Sequence, residues 1–180
     1  SEMVLETLNL VKDSVDFSQY DWNGDSIVDQ VFLLYAGYGE AQYAPEWTIW
    51  PCEGKLSNFL GVTSLPEYNG MTINTFACSC ELHSNKGSQL DGIGTICHEF
   101  SHCMGLPDFY NTSDMTDFCM EAFELMDQGA YNGNSYSPAA YTGYERWVCG
   151  WREPVELKDT CTITGWLPLV SGGETYILYN

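Results

Sequence analysis

His98 and His102 stand four residues apart in the run HEFSHCMGLPD at 98–108. On an α-helix that spacing places two side chains about 40° apart around the axis and about 6 Å apart along it. Two imidazoles so placed can converge on one tetrahedral zinc ion at about 2.0–2.1 Å. Glu99 follows His98 by about 100° of rotation. That is too far round to ligate with the pair, but it suits a side chain that holds the attacking water, the general base of a zinc hydrolase. A third protein ligand is needed, with water in the fourth position. The chain has three histidines, and the remaining one, His83, lies in the polar stretch ELHSNKG, where it reads as a solvated loop residue. Asp108 lies six residues after His102 and just past Gly105. A glycine can take the positive φ that turns the chain back towards the metal, and Pro107 stiffens the return. Asp108 is the favoured third ligand, and a carboxylate from further along, Glu121 or Glu124, is the alternative.

These groups need a helix under them. Residues 91–104 carry the clearest helical pattern, with Ile93, Ile96, Cys97, Phe100 and Met104 recurring at threes and fours as one apolar face. Asp91 is placed to cap its start and Gly105 to end it. The histidines sit one position round from the apolar stripe, and Gly94, four before His98, keeps that face open one turn earlier. Elsewhere, residues 5–12 read as a short helix and 21–29 as a loop. Residues 27–35 read as a buried strand, 39–70 as loop with short strands, and 71–78 as a weakly alternating strand. A second helix is expected to begin at Ser137–Pro138 and to end before Gly150.

The loop DWNGDSIVD sets oxygen-bearing side chains at Asp21, Asn23, Asp25 and Asp29, a pattern that would suit calcium. It is not an EF-hand, because its glycine is fourth and Phe32 stands where the bidentate glutamate belongs. The competing reading is an Asx-rich turn feeding a strand.

With 180 residues the chain can bury one sizeable core. Its 25 acids against 6 bases leave a net charge of −19, which excludes a nucleic-acid binder that works by neutralising phosphates. No apolar run is long enough to span a membrane. Eight cysteines are many for a cytosolic protein and are expected to form up to four disulfides. Most of the tryptophans and tyrosines are expected in the core, with some lining a groove. A start at Ser1 with no leader, and an end that reads as the beginning of a strand, suggest a catalytic piece of a longer precursor.

The run GIGTICHEFSHCMGLPDFY at 92–110, with ELMDQGAYNG at 124–133, YDWNGDSIVDQVFLLYAGYGE at 20–40 and SPAAYTGYERWVCGW at 137–151, resembles the immune inhibitor A-like metallopeptidases. These are secreted bacterial zinc peptidases of metzincin type. The resemblance implies His98, His102 and Asp108 as zinc ligands, Glu99 as general base and acid, and Met126 as the methionine of the turn beneath the metal. It implies an α+β, zincin-like catalytic domain over 1–180, with a twisted mixed sheet, an active-site helix and a smaller C-terminal lobe. The upper lobe would run to about residue 105 and the lower over about 106–160, with 161–180 the start of a further β segment. It further implies a monomer acting on protein or peptide outside the cell. Cys97 and Cys103 flank the histidines where plain apolar residues are expected, and a thiolate from either would alter the coordination. Two rival readings are an inactive secreted metal-binding module and a zinc amidase acting on a non-protein substrate. An intact Glu99 speaks against the first.

Overall fold

The computed structural model describes residues 1–179 except Met115, Phe118 and Trp166. Trp166 and Asn180, both within the expected β segment at 161–180, lie outside the described residues. In chain order the elements are α1 (Glu2–Val11), β1 (Val31–Tyr38), β2 (Cys52–Lys55), α2 (Leu56–Leu60), β3 (Glu67–Tyr68), β4 (Met71–Thr72), β5 (Thr75–Leu82), α3 (Gly94–Cys103), α4 (Gly143–Val148), β6 (Val155–Glu156) and β7 (Tyr176–Ile177). Short 3-10 turns join them.

The main sheet has the order β1-β5-β2. It is mixed, since β5 pairs in parallel with β1 and antiparallel with β2. β5 is central because Phe76 to Cys80 are buried without interruption, the mark of a strand covered on both faces. The strand expected at 27–35 begins and ends later. It is also an edge strand among the described residues: only Leu33 is buried within it, and Leu34 is 60% exposed. The single strand expected at 71–78 divides into β4 and β5.

Val4 and Leu8 of α1, four residues apart, pack with Leu33, Leu56, Ile73 and Phe76 to form the core under the sheet. A second cluster of Leu106, Leu125, Met126 and Ala130 lies beyond α3. Between the two, α3 packs on β5, β2 and the 3-10 turn Gln128–Tyr131.

The buried face of α3 is not the expected one. Ile93, Phe100 and Met104 are 58%, 40% and 37% exposed, whereas Gly94, Thr95, Glu99 and Ser101 are buried. The helix is covered on its polar side because partners satisfy that side. Ser101 Oγ donates to the Cys97 carbonyl at 2.6 Å and lies 2.7 Å from the Tyr141 hydroxyl. Ile93, not Asp91, precedes the first helical residue. Gly94 does not leave an open face either. A Cβ there would overlap the Ala130 carbonyl oxygen, so the glycine lets two backbones touch.

The last helix starts at Gly143, not at Pro138, because Thr142 and Glu145 form a reciprocal capping box. All eight cysteines carry free thiols, so the expected disulfides are not present. Cys52 and Cys78 face each other across β2 and β5 with sulfurs 4.0 Å apart. Nor are the tryptophans mainly core: Trp22, Trp47, Trp50 and Trp151 are all more than half exposed. No helix among the described residues is long and apolar enough to cross a membrane.

Candidate metal centre and active site

α3 carries His98 and His102 on one face, and the turn after it brings Asp108 back to them. Gly105 makes that turn with φ +92° and open space around it. Each imidazole is oriented from behind. His98 Nδ1 donates to the Leu125 carbonyl at 3.0 Å, and His102 Nδ1 donates to the Leu106 carbonyl at 2.7 Å. A carbonyl only accepts, so each neutral ring presents a lone pair at Nε2. The two Nε2 atoms lie 3.2 Å apart. Asp108 Oδ1 lies 3.2 Å from one and 3.3 Å from the other, buried, with no well-directed hydrogen bond reaching it.

Three electron-rich atoms at these separations repel unless a cation lies among them. A tetrahedral ion bound at 2.0–2.1 Å needs ligand–ligand edges of about 3.3 Å, and the observed spacings fit. The donor set of two nitrogens and one carboxylate oxygen also suits zinc. Among the described residues this is the one group of three or more histidine, cysteine, aspartate or glutamate side chains gathered closely enough to hold a metal.

With no ion among them, the same crowding favours a proton instead. Burial works against the charge of Asp108, but the adjacent imidazoles of His102 and His98 outweigh it and hold the carboxyl well below its usual range. Burial likewise opposes a charge on His102, yet Asp108 and the Leu106 carbonyl push it up to about 8, so metal binding there displaces a proton. Glu99 is buried and shares a cavity of 390 Å³ with both histidines and Asp108. Burial raises its pKa, with His98 and His102 partly offsetting the rise. A carboxylate whose proton affinity is raised towards neutrality suits a general base.

Tyr110, two residues past Asp108, is a site residue that the motif did not reveal. Burial, then the charge of Asp108, pushes its phenol up to about 12, so it remains a hydrogen-bond donor. Glu53 on β2 also lines the cleft.

The alternatives for the third ligand fall away. Glu121 is exposed. Glu124 is fully buried, and its Oε1 accepts from the backbone N–H of Met126 at 2.7 Å. Burial, then a bond to the buried Glu145, pushes Glu124 up to about 8. Protonated, Glu124 donates to Glu145, which explains why an oxygen of each is buried without another partner. Met126 is completely buried in the second core, directly after the Leu125 carbonyl that holds His98. Neither neighbouring thiol belongs to the metal group: Cys97 packs against the second core, and Cys103 accepts from Gln30 Nε2 at 2.9 Å.

The 21–29 loop takes the Asx-turn form. Asp21 Oδ1 accepts from the backbone of Gly24 and Asp25, and its Oδ2 from Ser26. Asn23 accepts from Asp25, Asp25 from Ile27, and Asp29 from Trp22. With their oxygens engaged on backbone N–H groups, Asp21, Asp25 and Asp29 do not gather as metal ligands. His83 is not a solvated loop residue. It is half-buried, with Nδ1 3.0 Å from Asp91 Oδ1.

A helix-borne histidine pair, a returning aspartate and a buried glutamate on a mixed α+β scaffold are the parts that a metallohydrolase centre needs. Residues 11–151 match the family model for the immune inhibitor A peptidase M6 catalytic domain, and the chain belongs to that family of metallopeptidases. It is 26% identical to immune inhibitor A of Bacillus thuringiensis subsp. alesti over 168 aligned residues, which cover 78% of this chain and 23% of that protein. The chain therefore spans about a quarter of the length of this relative.

Proposed function

We propose that the chain is the catalytic domain of a secreted zinc endopeptidase, with His98, His102 and Asp108 as zinc ligands and Glu99 as general base. The observation that carries this is the convergence of three lone-pair-bearing atoms at tetrahedral spacing beside a buried glutamate in one cleft. Zinc, when bound there, supplies the Lewis acidity that polarises a peptide carbonyl and lowers the pKa of a water to about 7. Glu99 takes the proton of the attacking water and returns it to the departing amine. Its raised proton affinity serves both transfers. The carbonyls of Leu125 and Leu106 fix the imidazole rings, as second partners of metal-binding histidines commonly do. Met126 fills the floor under His98.

The test is metal content together with cleavage of quenched peptides, with and without a chelator. One zinc per chain and activity abolished by the chelator and restored by zinc are expected. Peptide cleavage that survives complete metal removal would refute the reading.

A further inference from the structure

A second cavity, of 470 Å³, meets the metal cleft at Trp50, His98 and Tyr110 and extends to His83. The zinc-centred reading leaves His83 without a role, yet the protein orients its ring with care. Nδ1 faces Asp91, whose carboxylate is 2% exposed. Gln42, itself buried, donates to the other oxygen of Asp91 at 2.7 Å and accepts from the Ser84 backbone at 2.8 Å. The carboxylate accepts at Nδ1, so a neutral ring carries its proton there and keeps a lone pair on Nε2, and His83 lines the cavity. His98 and His102 are built alike, each with an acceptor behind Nδ1.

The rest of the cavity says what that lone pair receives. Trp50, Tyr110 and Tyr131 supply aromatic walls, which favour an aromatic guest at edge-to-face distances. The single acid among its lining residues, Asp127, is already engaged by the backbone of Met120, Glu121 and Gln128. Its charge is already stabilised by those three N–H groups, which makes it a weaker partner for a cationic guest.

We infer that this cavity is a substrate subsite for a tyrosine side chain next to the scissile bond, and that His83, held by Asp91, accepts its hydroxyl. The inference rests on the endopeptidase reading for the identity of the substrate. His83 is a binding residue and takes no part in proton transfer to the leaving group.

The test compares peptides that differ only in Tyr, Phe or Arg at one position beside the cleaved bond. In the zinc-loaded wild-type chain, kcat/KM for Tyr should exceed that for Phe by about tenfold, the equivalent of one good hydrogen bond. His83→Asn keeps an amide where Nδ1 met Asp91 but lacks Nε2, and it should bring the Tyr/Phe ratio close to one, with kcat/KM falling more for the Tyr peptide than for the Phe peptide. His83→Gln, whose amide reaches the Nε2 position, should retain part of the preference. If His83 only ties its loop to Asp91, His83→Asn will leave the ratio intact, and the inference is overturned. A preference for Arg, or equal use of Tyr and Phe by the wild type, overturns it as well. Calorimetric binding of the same peptides to Glu99→Gln separates the two readings. Selective tyrosine binding without cleavage by the wild type keeps the tyrosine site at His83 and sinks the endopeptidase; cleavage without selectivity does the reverse.

Discussion

Gly94→Ala tests whether the metal centre depends on the contact between two backbones. Gly94 opens α3, and its N–H donates to the Ser135 carbonyl at 2.9 Å. A methyl group there would overlap the Ala130 carbonyl oxygen and come within 2.9 Å of its carbon. The obstacle is backbone, so no rotamer change relieves it, and the turn at 128–131 must move. Overpacking of this kind costs about 1–3 kcal/mol. Weakening the bond to Ser135 adds about 1 kcal/mol, and the better helix propensity of alanine returns somewhat less than 1 kcal/mol. The net loss is about 2 kcal/mol, a fall in Tm of about 4–8 °C for a chain of this size. The displaced turn follows Leu125, whose carbonyl holds His98, so zinc affinity should fall about 10- to 100-fold. Calorimetry gives the first quantity and competition with a chelator the second. Gly61→Ala serves as the control, since that site has φ +64° and open space. It should cost roughly 1 kcal/mol of backbone strain and leave zinc affinity unchanged. A wild-type Tm in Gly94→Ala would refute the packing argument. A lowered Tm with unaltered zinc affinity would refute the coupling to the metal.

Glu99→Gln should retain stoichiometric zinc and lose at least about 100-fold in kcat; full activity in a metal-loaded sample would remove Glu99 as the base. Asp108→Ala should lower zinc content while the secondary structure persists, and an undiminished metal analysis would move the third ligand elsewhere. Stability should also depend on Glu124. Its folded pKa of about 8 stands above the ordinary value of 4.5, so between those limits the native state holds a proton that the unfolded chain releases. Its contribution is complete below about pH 4.5 and is lost as pH rises towards 8, at up to about 1.4 kcal/mol per unit. Urea midpoints measured across that window should fall less steeply in Glu124→Gln than in the wild type, and parallel curves would dismiss the shared proton.

The gathering of His98, His102 and Asp108 was legible in the chain because it is local. Four residues on one helix turn set His98 against His102, and a single glycine returns Asp108 only six residues later, so spacing alone specifies the geometry. The central strand β5 and the neighbouring short elements were less legible. Its run of buried residues shows no alternation, and a continuous apolar run does not reveal where the strand breaks from β4. The apolar stripe of α3 misled for a related reason. Periodicity reports which residues share a face, not which face the rest of the protein covers, and here the covering groups are Tyr141, the Ala130 backbone and the metal cleft.

What lies beyond the helix is tertiary. His83 and Asp91 meet Gln42 across 41 and 49 residues of chain, and Glu124 meets Glu145 only once the second core forms. Such pairs carry no mark in the linear order, because each partner alone is an ordinary polar residue. Burial beside the other is what makes it costly to leave unpaired and so gives it a definite place. The amino-acid order thus determined which side chains can gather as the candidate metal group, while the folded packing decided how they are held and what surrounds the adjoining cavity.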